Sequence, residues 1–327
     1  DGNGSNSGHV RVYKYSGGSW SQLGADINGS GASALSGFSV SLSSDGTILA
    51  VGEPYYNSNT GLVKIYEYSG SSWSQKGGTI NGESASNFCG NSVSLSSNGT
   101  ILAIGAYGNA GNGSYSGHAR VFEYSGSNWS QKGSDIDGEA ASDYSGRPVS
   151  LSSNGTILAI GAYGNDGNGT DSGHVRVYEY SGSSWSQKGS DIDGEAASDN
   201  SGYSVSLSSD GTIVAIGAIK NDGNGTDSGH VRVYEYSGSS WSQLGADIDG
   251  EAAGDYNGVS VSLSSDGTII AIGALHNDAG GVSAGHCRIY QYSRSSWSQL
   301  GQDIDGEAAN DYHGRAVSLS PDGTTVA

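Results

Sequence analysis

Short apolar stretches recur along this chain and end at polar clusters of Gly, Ser, Asn and Asp. In one unit, residues 202–208 alternate apolar and small polar side chains, whereas residues 212–218 (TIVAIGA) form a continuous small-apolar run. Alternation is typical of a strand with one buried face, and a short continuous run indicates a strand covered on both faces. Residues 230–236 (HVRVYEY) are rich in β-branched and aromatic side chains, and a short segment from Trp241 to Leu244 follows. The pattern predicts four strands, named A to D in that order.

The four-strand unit repeats along the whole chain. Trp lies at positions 20, 73, 129, 185, 241 and 297, and a Gly-Thr pair begins at 46, 99, 155, 211, 267 and 323. The Trp spacing is 53 residues once and then 56 residues at every step. An Asp-Gly pair at 210–211 predicts a two-residue hairpin between strands A and B. Repeats of this length are typical of four-stranded propeller blades. We therefore predict an all-β, six-bladed β-propeller with four antiparallel strands per blade.

The first and last repeats are each only half a blade. The chain begins in a B–C loop, residues 1–8, followed by strands C and D, and it ends with strands A and B, residues 316–327. We expect these N- and C-terminal half-blades to form the sixth blade together, because this pairing would hide the strand edges that an open array exposes. Residues 1–327 would then be a single propeller domain. Because the chain starts without Met and stops inside a strand, we interpret it as a fragment of a longer protein.

The charge of the chain narrows the classes of partner. Fourteen basic and 33 acidic residues give a net charge of −19. Nucleic acids and anionic membrane surfaces need clustered Lys and Arg, so neither is an expected partner. No apolar run is long enough for membrane insertion. Cations and uncharged partners such as glycans remain open. The two cysteines, Cys89 and Cys287, lie at different places in the repeat, so we expect neither a disulfide nor a metal framework.

The order of motifs within each unit carries a family resemblance. The pattern runs through Trp-Ser-Gln at 241–243, Gly-Asp-Tyr-Asn-Gly at 254–258, Ala-Ile-Gly-Ala at 271–274 and Ser-Ala-Gly at 283–285. It resembles the FG-GAP repeat of integrin α-subunit propellers and secreted microbial proteins. The residues most similar to the Phe-Gly and Gly-Ala-Pro motifs that give this family its name are Phe38 and Gly52-Glu53-Pro54. The resemblance implies an adhesive propeller at the cell surface, with calcium loops between strands A and B. Here that loop is only Ser-Ser-Asp-Gly-Thr at 208–212, too short to wrap a cation with six or more oxygens.

Acidic residues concentrate on one predicted face. Strand direction alternates within a blade, so the B–C and D–A loops emerge together, and the D–A loops are acidic at 135–143, 191–199, 247–255 and 303–311. Calcium takes carboxylate and carbonyl oxygens from flexible loops. A calcium site is therefore one hypothesis for the B–C loop residues Asp166, Asn168, Asp171, Asp222, Asn224 and Asp227. The alternative is that these are turn formers whose side chains bond to their own backbone.

The histidines align when the repeats are superposed. Strand C begins with His at five repeats and with Leu62 at the sixth, and a basic residue follows two positions later. The sets are His9, His118, His174, His230 and His286, and Arg11, Lys64, Arg120, Arg176, Arg232 and Arg288. A catalytic group requires one asymmetric constellation, so we interpret both sets as structural. We predict no catalytic residues and no enzymatic activity. His276 and His313 lack a nearby nucleophile motif and are interpreted as loop variation.

Two binding functions are compatible with these features. The first is an extracellular scaffold or adhesion module that binds protein or glycan through the acidic face, including neighbouring copies or domains of a larger surface assembly. The alternative is a multivalent lectin with one sugar site per blade, built from Arg232, Glu235 and Trp241, because aromatic faces pack against sugar rings. The Trp residues also have a structural interpretation, in which they close the outer edge of each blade.

Eight Asn-x-Ser/Thr sequons offer possible modification sites. In a secreted eukaryotic protein they would be glycosylation acceptors. They lie at Asn3, Asn28, Asn98, Asn112, Asn128, Asn154, Asn168 and Asn224. Because Asn-Gly at 98–99 and 154–155 also favours hairpins, both interpretations stay open.

Overall fold

The computed structural model describes residues 2–327, and Asp1 lies outside it. Within this range the regular structure is almost entirely β, with 29 strands and one four-residue helical turn. Five large sheets contain five strands each, and two small sheets contain two strands each. Every large sheet has the predicted order A, B, C, D, with a two-residue fifth strand beside C. The prediction of an all-β fold with four main antiparallel strands per blade is confirmed.

The described chain divides into two compact units, and unit 1 comprises its residues up to 141 together with residues 145–149. Its N-terminal strands are β1 (His9–Val10), β2 (Tyr13–Ser16), β3 (Ser19–Gln22) and β4 (Ile27–Asn28). Its first large sheet contains β5 (Ser39–Leu42), β6 (Ile48–Glu53), β7 (Leu62–Tyr68), β8 (Trp73–Gln75) and β9 (Ile80–Asn81), with the turn α1 (Tyr56–Asn59) after β6. The second contains β10 (Ser92–Leu95), β11 (Ile101–Ala106), β12 (His118–Tyr124), β13 (Trp129–Gln131) and β14 (Ile136–Asp137).

Unit 2 comprises residues 142–144 and 150–327. The third sheet contains β15 (Val149–Leu151), whose first residue is counted with unit 1, then β16 (Ile157–Ala162), β17 (His174–Tyr180), β18 (Trp185–Gln187) and β19 (Ile192–Asp193). The fourth contains β20 (Ser201–Leu207), β21 (Ile213–Ala218), β22 (His230–Tyr236), β23 (Trp241–Gln243) and β24 (Ile248–Asp249). The fifth contains β25 (Asn257–Leu263), β26 (Ile269–Ala274), β27 (His286–Ser293), β28 (Ser296–Gln299) and β29 (Ile304–Asp305).

The core of each unit lies along the B strands. Every residue of β6 and β11 is buried, as the continuous small-apolar runs predict. Neighbouring sheets approach so closely here that a Cβ atom on Gly52 of β6 would overlap the carbonyl oxygen of Gly90. Glycine is required at such a backbone-to-backbone contact, because any side chain would push the sheets apart.

The turns between strands A and B are longer than predicted. Around Asp266-Gly267 the backbone N–H of Ser264 donates to Ile269 O, and that of Gly267 donates to Ser264 O. The Asp266 Oδ1 atom accepts hydrogen bonds from the Ser264 hydroxyl at 2.7 Å and the Thr268 hydroxyl at 2.9 Å. The prediction of a two-residue hairpin is therefore wrong. A four-residue loop forms instead, because the aspartate side chain, rather than the backbone alone, closes the turn.

Each unit contains one of the two predicted half-blades. In unit 1, β2 pairs only with β3, and β1 pairs only with β4. In unit 2, the last regular pairing is a bridge between Leu319 and Val326. The local structures of the C–D half and the A–B half thus agree with the sequence. Their union in a sixth blade, and a single domain over residues 1–327, stay predictions.

Candidate functional site

The B–C and D–A loops lie side by side, as the strand directions predict. In unit 2 the Asn168 side-chain amide donates to Gly194 O at 2.8 Å, and the Asn224 amide makes the same bond to Gly250 O at 2.8 Å. Each bond joins a B–C loop to the D–A loop that follows it in the chain. The surface formed by these two sets of loops is called the acidic loop face below.

A histidine lies beneath this face at the junction between successive repeats. His286 is the first residue of β27, and Asp303 precedes β29, the short strand that pairs with β27. Glu251 comes from the D–A loop of the preceding repeat. The His286 Nδ1 atom lies 3.8 Å from Glu251 Oε2 and 3.7 Å from Asp303 Oδ2. The imidazole is completely buried, whereas both carboxylates are partly exposed.

The same arrangement occurs at another junction of unit 2 and at a junction of unit 1. His230 Nδ1 lies 3.9 Å from Glu195 Oε2 and 3.7 Å from Asp247 Oδ2. In unit 1, His118 Nδ1 lies 4.0 Å from Glu83 Oε2 and 3.7 Å from Asp135 Oδ2. We call the three sets junction clusters: Glu83–His118–Asp135, Glu195–His230–Asp247 and Glu251–His286–Asp303. Within each set the ligand-type atoms lie within 4.8 Å of one another.

The buried imidazoles are neutral near pH 7. Burial lowers the pKa of His118 and of His230 to about 4, and the neighbouring Arg120 or Arg232 acts in the same direction. The Nδ1 atoms of His118, His230 and His286 are buried without a hydrogen-bond partner in the described residues. The separations of 3.7 to 4.0 Å from the carboxylates are too long for direct hydrogen bonds. A neutral imidazole with a free nitrogen is a competent metal ligand.

An arginine orients the glutamate of each cluster. Arg232 Nη1 lies 3.3 Å from Glu195 Oε1, and its Nη2 donates to Asp193 O at 2.7 Å. One oxygen of Glu195 therefore faces the arginine and the other faces His230. The guanidinium also lies over the ring of Tyr234, with 5.5 Å from Cζ to the ring centroid. The guanidinium therefore has both a carboxylate and a backbone carbonyl as partners.

The junction clusters are the main feature that the sequence interpretation missed. The aligned histidines were predicted to be structural, and their carboxylate neighbours were not recognised. A signal was available in the one departing repeat. There Leu62 replaces the histidine, and the equivalents of the two carboxylates are Ser30 and Thr79. All three residue types change together.

The predicted calcium residues make local turns. Asp166 Oδ1 accepts the Asp171 backbone N–H at 2.8 Å, and Asp222 Oδ1 accepts that of Asp227 at 2.8 Å. This is the turn chemistry of the alternative interpretation. Calcium binding by these aspartates, together with Asn168 and Asn224, stays a prediction. The A–B loops do not fit a calcium ion, because Asp266 Oδ1 already accepts three hydrogen bonds within its turn.

The three residues of the lectin hypothesis have different surroundings. Trp241 lines an open groove of about 240 Å³ together with Ser190, Asp191, Ile192, Asp193, Tyr234 and Ser240. Arg232 and Glu235 are not among the lining residues. The Trp241 indole N–H donates to Lys188 O of the preceding repeat at 2.7 Å. A similar groove in unit 1, of about 230 Å³, is lined by Trp73.

The sequons fall into groups with different hydrogen bonds. The Oδ1 atoms of Asn98 and Asn154 accept hydrogen bonds from Thr100 and Thr156 within A–B turns. Four others donate their side-chain nitrogen to a backbone carbonyl; they are Asn3, Asn112, Asn168 and Asn224. Asn128 accepts the Gly78 backbone N–H. Glycosylation of any of the eight stays a prediction.

A row of aromatic rings was also missed. In unit 1, Tyr55 lies between Phe38 and Phe88, with centroid separations of 5.8 and 5.5 Å. In unit 2, His276 occupies the same kind of place between Tyr256 and Tyr312, at 5.2 and 5.4 Å. His276 is therefore part of a packed aromatic row rather than a loop variant. Cys89 and Cys287 are both buried, and neither forms a disulfide.

Comparison with known proteins agrees with these repeats. Residues 134–178 and 190–234 match the model of the FG-GAP repeat family. The chain carries FG-GAP repeats. No curated protein matches the sequence. None of the helical segments in residues 2–327 has the length and apolar character needed to cross a bilayer.

Solved structures similar to this chain are β-propellers of remote sequence. The periplasmic gluconolactonase of Pseudomonas aeruginosa is 17% identical with a TM-score of 0.65, over 97% of this chain and 83% of that one. A Bacteroides fragilis protein assigned as a 6-phosphogluconolactonase is 13% identical with a TM-score of 0.61, over 97% and 85%. A Desulfotomaculum acetoxidans protein of unknown function is 11% identical with a TM-score of 0.62, over 97% and 84%. At these identities the likeness shows the fold.

These structures correct one prediction. The chain was predicted not to be an enzyme, because its repeats are nearly uniform and its fold resembles adhesive propellers. That prediction is wrong, because structures of the same fold that cover almost the whole chain include a gluconolactonase. Fold and repetition therefore do not exclude catalysis, and activity has to be decided at the site.

Proposed function

We propose that this FG-GAP chain is a multivalent binding module that presents its acidic loop face to a protein or glycan outside the cell. The observation that carries the proposal is the recurrence of one loop pair in one register. The bonds from Asn168 to Gly194 and from Asn224 to Gly250 fix the same geometry 56 residues apart. Equally spaced, identical surfaces suit a partner that is itself repetitive, because several weak contacts then act together.

The electrostatics of the face favour a cationic partner. Burial and the neighbouring Asp191 carboxylate raise the pKa of Asp193, and burial and Asp247 do the same for Asp249. Such shifts arise where a carboxylate is partly buried and lies near another negative charge. With a net charge of −19 over the chain, the face attracts basic segments and divalent cations rather than phosphates.

The test is binding of the full chain to an immobilised oligolysine peptide and to a glycan array. We expect saturable binding that weakens with salt and weakens further in Asp191→Asn/Asp193→Asn. The matched control is Asp266→Asn in an A–B turn, outside the acidic loop face. Equal binding by the two variants would reject the acidic loop face as the binding surface. Detection on intact cells of the source organism tests the extracellular location.

The groove at Trp241 favours a second candidate, a repeated glycan site. It combines an indole, the Tyr234 ring and the carboxylates of Asp191 and Asp193, and such sets of groups stack on sugar rings and bind their hydroxyls. Neutral glycans bound at several sites per chain and lost in Trp241→Ala would support it. Because a propeller of this fold is a gluconolactonase, hydrolysis of gluconolactone by the same samples should be measured. Turnover would replace both binding functions with a catalytic one.

A further inference from the structure

We propose that each junction cluster binds one divalent metal ion of the zinc class through a histidine nitrogen and two carboxylates. This site goes beyond the proposed binding function. It differs from the calcium hypothesis in its residues, in its ligand atoms and in its place beneath the loops.

The first argument is the spacing of the ligand atoms. In the Glu195–His230–Asp247 cluster, Nδ1 lies 3.9 Å from one carboxylate oxygen and 3.7 Å from the other. Zinc bonds nitrogen and oxygen at about 2.0–2.2 Å, so two ligands of one ion lie at most about 4.4 Å apart. The gap is too wide for a hydrogen bond and has the size required for a shared ion. The partly exposed carboxylates can rotate to complete the site.

The second argument is an unsatisfied buried nitrogen aimed into each cluster. His230 is 1% exposed and His286 is 0% exposed, and both ring nitrogens of each lack a hydrogen-bond partner in the described chain. A buried polar atom left without a partner destabilises the fold, because it has lost its hydrogen bonds to water and gained none in return. Such atoms are rare in native proteins, and a bound ion or water is one explanation for them. A metal on Nδ1 would satisfy that nitrogen and place the ring proton on Nε2.

The third argument comes from the sequence of the departing repeat. If the histidine only filled space in the core, its replacement by Leu62 would require no change at the two carboxylate positions. Instead, Ser30 and Thr79 replace both carboxylates as well, although the three positions lie on separate segments. Loss of all three together is expected for a set of metal ligands. It is not expected for independent core and surface residues.

The ligand set selects the class of ion. Calcium prefers six to eight oxygens, whereas an imidazole with carboxylates suits zinc and its neighbours. Arg232 engages the outer oxygen of Glu195 and leaves the inner one for the metal. The two negative charges of the carboxylates balance the charge of a divalent ion.

The experiment uses the full chain after chelator treatment and dialysis. Zn²⁺ binding is measured by titration calorimetry, Co²⁺ binding by its visible absorption, and Ca²⁺ serves as the comparison ion. We expect saturable Zn²⁺ binding of one ion per intact cluster and a ligand-field spectrum with Co²⁺. His230→Leu, the residue that the chain itself has at position 62, should lower the stoichiometry by one ion per chain. Asp247→Asn should do the same with the ring intact.

The control is Asp227→Asn, which alters a predicted calcium residue and should leave Zn²⁺ stoichiometry unchanged. If His230→Leu does not fold, Asp247→Asn still decides, because its carboxylate is partly exposed. Equal Zn²⁺ stoichiometry in the wild type and Asp247→Asn would overturn the proposal, as would loss of Zn²⁺ in Asp227→Asn. Binding of Ca²⁺ alone, or of neither ion, would also overturn the proposal. The space between the histidine nitrogen and the two carboxylates would then be filled by water.

Discussion

Arg232 and Glu195 belong to successive repeats, and Nη1 of the arginine lies 3.3 Å from Oε1 of the glutamate. The same guanidinium donates to Asp193 O at 2.7 Å. One side chain therefore joins the D–A loop of one repeat to strand C of the next. Because Arg232 is almost completely buried and Glu195 is partly exposed, the arginine is the fixed member of the pair.

Arg232→Lys should destabilise the chain, because an ammonium group cannot span both partners in the geometry of a guanidinium. Loss of a charge-assisted hydrogen bond of this kind costs about 1.5–3 kcal/mol. If Glu195 is a metal ligand, the affinity of that cluster should also fall about 10–100-fold. Urea unfolding and Zn²⁺ titration measure the two effects. Arg294→Lys, on an exposed turn, is the control, and equal unfolding free energies would contradict the role of Arg232.

Trp241→Phe should lower stability by about 0.5–1.5 kcal/mol, the net worth of one hydrogen bond. The indole N–H of Trp241 donates to Lys188 O at 2.7 Å, and phenylalanine keeps an aromatic ring at this position but not the donor. Trp20, which is 69% exposed, gives the matched control Trp20→Phe. Denaturant midpoints of both variants decide the matter. A larger loss in Trp20→Phe would show that the cross-repeat bond is not the source of the stability.

Gly52→Ala should be strongly destabilising, by about 1–3 kcal/mol or more, because its Cβ would overlap Gly90 O across the sheet interface. Gly78→Ala is the control. Gly78 is exposed, and a Cβ there would meet only the flexible side chain of Asn128, at 3.1 Å. That change should stay within about 0.5 kcal/mol. Thermal unfolding of the two variants, compared with the wild type, tests the predicted contrast.

Asp266→Asn should change how stability depends on pH. Hydrogen bonds from the Ser264 hydroxyl, then from the Thr268 N–H, hold the pKa of Asp266 below its ordinary value of 3.8. Because the folded pKa is lowered, the ionised carboxylate stabilises the fold above about pH 4, and this contribution is lost as the pH falls through the folded value. In the equivalent turn, Asn154 makes the same three bonds without a titrating proton.

The variant should therefore be nearly as stable as the wild type at pH 7 and should lose less stability between pH 4 and pH 2. Urea unfolding at several pH values measures the difference. Parallel pH profiles for the two proteins would contradict the assignment. The same kinds of bonds lower the pKa of Asp322 to about 2. This value indicates how far down the pH scale such a carboxylate continues to stabilise its turn.

The strands were predictable because their signals are local and repeat six times. Strand B was predicted at 212–218 and found at Ile213–Ala218, and strand C was predicted and found at His230–Tyr236. The A–B turn was not predictable from Asp266-Gly267 alone, since its length depends on side-chain bonds from Ser264 and Thr268. Dipeptide preferences describe only the backbone.

The junction clusters were harder to predict because their members come from two repeats. His230 and Asp247 lie in one repeat, and Glu195 lies in the repeat before it. Reading the repeats one at a time makes the histidine look like an isolated core residue. Only the joint change at Ser30, Leu62 and Thr79 links the three positions in the sequence, and it identifies the set without giving a distance.

The division of each cluster between two repeats has a genetic consequence. Duplication of one 56-residue unit, such as the one in which residues 221–243 are identical to 165–187, would add a glutamate to the next junction and a histidine with an aspartate to the previous one. An open row of units that all keep the three residues therefore carries one cluster fewer than its number of units. Unequal recombination between these near-identical segments would change the number of clusters in whole steps and leave no half-built site inside the row.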